Sequence, residues 1–218
     1  MDDPNWLTRL RNDLITLTTT AAREFWHGPR REDPPYYNYR LEHVQQVERD
    51  AIRLLKVVGG DRDVVLASVW IHDRFQPQYA GNDHAVRASE WASEYLASYD
   101  FPPEKIAAVR FAVASHADPP NTLPVNAHDA RLVWDADKLS KIGVINIVTF
   151  LCGAPAFPHK PLTFSTLVQH KLEFLGKDLA LVERFYFEQS KEWARERFAA
   201  QKAFYAALAR EAGFDESP

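Results

Sequence analysis

A single cysteine, Cys152, stands among 218 residues. This excludes an intrachain disulfide and leaves no thiolate cluster for a structural zinc site. It fits a reducing compartment, so a cytoplasmic location is expected. Basic charge is not in excess: 26 Lys and Arg against 30 Asp and Glu give a formal net charge of −4. No global positive field exists of the kind that drives general nucleic-acid binding, and none is expected. No apolar run reaches the ~20 residues of a membrane span; even VVLASVWI, Val64 to Ile71, runs directly into charge. MDDPNWLTRLRNDL lacks a basic segment leading into an apolar core, so no export signal is expected. Sustained alternation of apolar and polar residues, the mark of a half-buried sheet, is also missing.

What is present is helical periodicity broken by proline and glycine, and the expected fold class is all-α. Helices are expected from Trp6 to Trp26, from Leu41 to Val58 with Gly59 and Gly60 behind it, and from an Asp61 cap through Val64 to His72. Others are expected from His84 to Tyr99, from Pro102–Pro103 to His116, and from Asp129 to about Phe150. HGPRREDPPYYN, ADPPNTLPVN and GAPAFPHKPLTF read as loops, and two long helices follow from Ser165. A chain of this length can form one compact domain, and a single domain over residues 1–218 is expected.

The apolar run of Val64 to Ile71 ends in adjacent His72 and Asp73. Burying such groups costs several kcal/mol, order of magnitude, unless they are paired, hydrogen-bonded or metal-bound. Helical phase supplies partners, because residues three or four apart share a face. His43 shares a stripe with Val47, Ala51, Leu54 and Val58, and His116 follows Ile106, Val109 and Val113. In WDADKLSKIG, Asp135 is in phase with Leu132, Leu139 and Ile142, and Asp137 with Val133 and Val144. One inward histidine is more often a hydrogen-bonded core residue than a ligand. Four helices each delivering His or Asp to one interior point instead to a divalent cation that neutralises the carboxylates.

His43, then His72-Asp73 closing an apolar helix, then an Asp within ADKL resembles the HD-domain superfamily of metal-dependent phosphohydrolases. DADKLSKIG is similar to the DADRLDAIG-type segment of its small bacterial hydrolases, nucleotide pyrophosphohydrolase-like members included, and HKLEFL and ERFYFEQSKEW are similar to their C-terminal helices. The resemblance implies an HD-domain helical bundle with a core over about 36–150 and a C-terminal helical extension over about 165–213. It implies His43, His72, Asp73 and Asp137 as metal ligands, the last from its Ala-Asp-x-Leu context, although helical phase alone slightly favours Asp135. His84 and His116 match positions where family members contact substrate phosphate or hold a second metal. Asp73, Asp135, His84 and His116 are the catalytic candidates, Asp135 either as a group behind the ligands that orients them or as a base that positions water. His84, Arg87, His116 and Lys138 are the substrate-binding candidates, with Arg74 a further cation. AFPHKPL, with His159 and Lys160, has the length of a lid.

The sequence also departs from the pattern. RFQP follows the His-Asp pair without the lysine of the cyclic-dinucleotide phosphodiesterases, no Gly-Tyr-Pro occurs, and Ser140 stands where related small hydrolases often carry Asp. The implied activity is hydrolysis of a phosphate ester or phosphoanhydride of a nucleotide or other small phosphorylated metabolite by metal-activated water. Imidazole and carboxylate donors suit Mn, Mg, Fe, Co or Ni. Two other classes compete: an HD-fold di-iron oxygenase using six ligands for two irons, and a non-catalytic ligand-sensing module. The expected partner is a small phosphorylated substrate, with no membrane; the sequence leaves oligomeric state open, a homodimer included.

Overall fold

The computed structural model describes residues 3–25, 37–76, 83–153 and 164–213. The described residues are helical and contain no strand, so the all-α expectation holds. The helices are α1 (Asn5–Phe25), α2 (Tyr39–Val58), α3 (Arg62–Ile71), α4 (Asp83–Ala97), α5 (Ile106–Ser115), α6 (His128–Leu139), α7 (Val144–Gly153), α8 (Phe164–Val182) and α9 (Glu188–Glu211). A 3-10 turn, Pro103–Lys105, leads into α5. Among the described residues no helix is long and apolar enough to cross a membrane.

Local chemistry sets the boundaries. Asn38 caps α2 by accepting from the Leu41 N–H at 3.1 Å, and α2 ends at Gly59, whose φ of 72° suits glycine. Asp61 caps α3 by accepting from the N–H groups of Asp63 and Val64. Every residue from Val64 to Ile71 is buried. Such a helix presents no face to water and must be packed on all sides.

Two apolar clusters do that packing. One gathers Val47, Leu54, Val65, Val69, Leu132, Trp134, Leu139 and Phe185; the other gathers Leu7, Leu10, Leu14, Leu66, Ile71, Leu96 and Val113. Helices α2, α3 and α5 contribute to both, whereas α6 and α9 belong to the first and α1 and α4 to the second. The three straddling helices carry His43, His72 and His116. Each fully buried Leu or Ile contributes about 1.5–3 kcal/mol relative to exposure, enough in sum to offset several costly polar groups at the helix ends.

The expected sixth helix is corrected to two. α6 stops at Leu139, a turn follows, and α7 starts at Val144. The break lies at Gly143, which has φ +99° and packs so closely on α9 that an added Cβ would lie 2.9 Å from the Cβ of Arg197. The Gly143 N–H donates to Gln201 Oε1 at 2.6 Å. A tertiary contact from α9 thus overrides helical periodicity. The loop over residues 117–126 holds as expected; most of the two other expected loops, with the lid residues His159 and Lys160, lies outside the described residues.

A side chain at this positive φ costs about 1–3 kcal/mol before any clash. Gly143→Ala should therefore lower unfolding free energy by at least ~1 kcal/mol, measured by urea denaturation; an unchanged midpoint would show that the turn relaxes freely.

Candidate metal centre

Two histidines reach the centre by the same construction. His72 follows the last turn of α3 and donates its Nδ1–H to the Val69 carbonyl at 2.7 Å. His116 follows α5 and donates Nδ1–H to the Val113 carbonyl, also at 2.7 Å. Both use a carbonyl left over at a helix C-terminus. A carbonyl can only accept, so Nδ1 carries the proton and Nε2 of the neutral ring carries a lone pair. His43 is oriented by Ser140: the Ser140 hydroxyl donates to the Asp137 carbonyl at 2.7 Å, so its oxygen accepts from His43 Nδ1 at 3.2 Å.

These lone pairs converge. His43 Nε2 lies 3.2 Å from His72 Nε2, and His84 Nε2 lies 3.1 Å from His116 Nε2. Asp73 stands between the pairs, with Oδ2 3.3 Å from the Nε2 atoms of His43 and His72 and Oδ1 3.4 Å from those of His84 and His116. Asp137 Oδ1 is 3.2 Å from His43 Nε2 and 3.9 Å from His72 Nε2, and it is buried with no hydrogen-bond donor. Apart from the contact of Arg40 on Asp73 Oδ2, the lone pairs of His43, His72 and His116 thus face carboxylate oxygens in a buried interior. Protonating the rings is no remedy, because burial pulls His43 down to about 4 and His116 to about 3, and holds His72 well below its ordinary value. A cation satisfies every one of these atoms. His43, His72 and Asp73 form one group able to hold a metal ion, and Asp73, His84 and His116 a second.

The surroundings are cationic. Burial alone would raise the Asp137 carboxyl, but Lys138, Lys141 and His43 outweigh it and hold it well below the usual carboxylate range. Lys138 Nζ donates to Asp137 Oδ2 at 2.6 Å and to the His116 carbonyl at 3.0 Å; Lys141 Nζ reaches the same Oδ2 at 3.0 Å. Buried Arg40 contacts Asp73 Oδ2 and donates to Gln76 Oε1 at 2.9 Å, and burial lowers its pKa to about 10.

The structure therefore brings together His43, His72, Asp73 and Asp137, and joins His84 and His116 to them through Asp73. Asp135 is elsewhere. It is fully buried, and its oxygens accept from the backbone N–H groups of Tyr186 and Phe187 at 2.9 and 3.0 Å, just ahead of α9. This geometry gives no support to its expected role as a base. Lys138, expected at substrate, is committed to Asp137 and His116. Arg87 is exposed on α4, and half-buried Arg74 lies over the rings of Phe75 and Trp91. Arg40, Lys141 and Ser140 as an orienting group had not been singled out by sequence. Their only signals are Arg40 one helical turn before His43, and Ser140 and Lys141 one turn beyond Asp137.

The fold compares closely with solved structures. An HD-superfamily hydrolase of Bacillus thuringiensis superposes with a TM-score of 0.62 at 20% identity, over 96% of this chain and 100% of that one. A protein of an uncultured Thermotogales bacterium, described as a predicted HD-superfamily hydrolase, gives 0.57 at 20% identity over 92% and 91%. The chain has the HD-domain fold. Bacillus subtilis YpgQ in complex with ADP gives a TM-score of 0.67 at 17% identity, over 94% of each chain. No family model and no curated protein matches the sequence. Within the HD fold, the His-Asp pair at the end of α3 is the point where the donors of α2, α4, α5 and α6 meet.

Two measurements test this geometry. Asp137→Asn should lose bound metal far more severely than Asp135→Asn, which should mainly lower the thermal midpoint by weakening the start of α9; the reverse order in metal content would reject Asp137 as the ligand. The histidines set a pH dependence. The folded pKa values of His43, His72 and His116 are depressed, so as pH falls through 6.5 the unfolded chain takes up protons that the native rings refuse down to about 4 or below. Their contribution to stability is full above about 6.5 and falls below it, by up to ~1.4 kcal/mol per pH unit for each ring, and these three rings outweigh the single opposing carboxyl of Asp135, which burial raises to about 7. The thermal midpoint of the metal-stripped chain should be lower at pH 5 than at pH 7.5, and an equal or higher value at pH 5 would contradict the neutral tautomers.

Proposed function

We propose that this chain is a metal-dependent phosphohydrolase acting on a nucleotide or another small phosphorylated metabolite. The observation that carries the reading is the shared carboxylate: Asp73 offers one oxygen to each of two histidine pairs. His43, His72, Asp73 and Asp137 would hold one cation, and Asp73, His84 and His116 a second. A divalent cation bound there supplies Lewis-acid polarisation of a phosphoryl oxygen and lowers the pKa of water to near neutrality. The chain's own residues do the rest. Asp73 fixes the two half-sites relative to each other, Lys138 and Lys141 keep Asp137 ionised with Oδ1 turned inward, and the carbonyls of Val69 and Val113 lock two imidazoles in the coordinating tautomer. Arg40, a buried guanidinium beside Asp73, is suited to a phosphoryl oxygen.

Oxygen and imidazole donors without thiolate fit Mn, Mg, Fe, Co or Ni. That YpgQ was solved with ADP supports nucleotides as the first substrates to try. The same six donors favour one other reading, a di-iron oxygenase, which tightly bound iron and oxygen uptake with an organic substrate would reveal.

The test is metal analysis combined with a hydrolysis panel of nucleotides, phosphomonoesters and phosphodiesters under several divalent metals. Asp73→Ala should remove both metals and lower hydrolysis by more than ~100-fold, since changes behind the ligands alone cost roughly 10–100-fold; His72→Ala should abolish activity while leaving the fold all-α. An Asp73→Ala protein with full metal content and activity would refute the assignment. Because a ligand that binds only the folded state stabilises it, by about 2.7 kcal/mol at a hundred times its Kd, chelation should lower the thermal midpoint. Returning manganese or iron should restore the midpoint and hydrolysis together.

A further inference from the structure

Asp137 lies on a short stretch of α6 that α9 grips from both sides. Two residues before it, Asp135 accepts the backbone N–H groups of Tyr186 and Phe187 at the start of α9. Two residues after it, the Leu139 carbonyl accepts from Arg197 Nη1 at 2.7 Å. The same guanidinium closes a two-pronged ion pair on Asp50, with Nη1 to Oδ2 at 2.8 Å and Nη2 to Oδ1 at 2.5 Å. Asp50 is fully buried on α2, two helical turns beyond His43. Gly143 packs directly on the stem of Arg197, where an added Cβ would lie 2.9 Å from the Arg197 Cβ.

We infer that Arg197 is a positioning residue for one half of the metal centre: it fixes α2 against the end of α6 and thereby sets the approach of His43 to Asp137. This rests on the reading of the centre as a two-cation site. Arg197 touches no ligand itself. It acts through the two helices that carry His43 and Asp137, whose atoms stand 3.2 Å apart. The fork geometry of arginine is what the position requires, because one group must serve both carboxylate oxygens and a carbonyl. The other half-site has a different frame. His84 and His116 come from α4 and α5, which pack on each other; α5 also packs on α6, but α9 packs chiefly on α2, α6, α7 and α8 and so bears on α5 only through α6. The consequence is an asymmetry: loosening Arg197 degrades the His43/His72/Asp137 half and spares the His84/His116 half.

Cobalt(II) binding to the full-length chain, followed by visible absorption and chelator competition well below the thermal midpoint, tests this. Arg197→Met strands the buried carboxylate of Asp50, so the paired replacement Asp50→Leu/Arg197→Met is made beside it to remove the ion pair without an orphan charge. Each is placed in a His116→Ala background, which leaves the first half-site, and in a His43→Ala background, which leaves the second. The expected result is a cobalt Kd raised roughly 10–100-fold in the first background, the range for groups that orient metal ligands, and unchanged in the second. Arg197→Lys should give a smaller rise, and Arg195→Met, a change on α9 that removes the exposed pair with Glu183 in the α8–α9 connection, none. A purely stabilising ion pair would lower the thermal midpoint and leave both Kd values alone, and that outcome overturns the inference, as does an equal loss in both backgrounds. A wild-type chain that binds no cobalt overturns the two-cation reading itself and this inference with it.

Discussion

The structure turns on one electrostatic constraint: the imidazole lone pairs of His43, His72 and His116 are packed against the carboxylate oxygens of Asp73 and Asp137 in a buried centre. The Val69 and Val113 carbonyls take the Nδ1 protons of His72 and His116, leaving only lone pairs on the inward side. Each buried acceptor left unmet costs about 1–3 kcal/mol, and a buried carboxylate more. Taking up protons would relieve the conflict, but burial depresses the ring pKa values and closes that route near neutral pH. The fold holds the arrangement because α2, α3 and α5 each tie into both apolar clusters, so the histidines cannot part without opening two packed interfaces at once.

The two half-sites are chemically unequal. The first has two carboxylates, Asp73 and Asp137, with Arg40, Lys138 and Lys141 around them. The second has two imidazoles and a single shared oxygen. Harder oxygen donors favour Mg and Mn, and nitrogen-rich sets favour later transition metals. The donor sets of the two halves therefore differ, the first being richer in oxygen. The surrounding cations limit how much negative charge the first half presents.

Much of this was legible in the sequence, and what was not has physical reasons. His72 and Asp73 stood out because an apolar run ended in charge, and His43 and His116 because each sat at the end of an apolar stripe. The choice between Asp135 and Asp137 lay beyond helical phase: from Leu132 to Asp137 α6 is buried on every side, so no outward face exists to exclude one of them. Both are buried, but the start of α9 satisfies both oxygens of Asp135, whereas lysines satisfy one oxygen of Asp137 and the other is left facing the histidine cluster. The break between α6 and α7 escaped for a related reason. One glycine in an apolar periodic segment reads as tolerable, and the side chains it packs against and bonds, Arg197 and Gln201, lie more than fifty residues away. Arg40 carries no sequence signal of its own, because its partner Asp73 is brought to it only by tertiary structure.

Ser140 shows how a small departure from a familiar pattern fits its surroundings. A carboxylate behind a coordinating imidazole raises the basicity of the ring and adds negative charge. At this position the hydroxyl accepts from His43 while donating to the backbone carbonyl of Asp137, so one neutral group fixes the orientation of one ligand and the backbone beneath another. An aspartate here could accept from His43 but could not donate to that carbonyl, and its charge would compete with Asp137 for Lys138 and Lys141. Those lysines hold Asp137 ionised with one oxygen turned inward. Serine keeps them where they are needed, at the cost of a less basic His43, and the exchange suits a half-site that already carries two carboxylates.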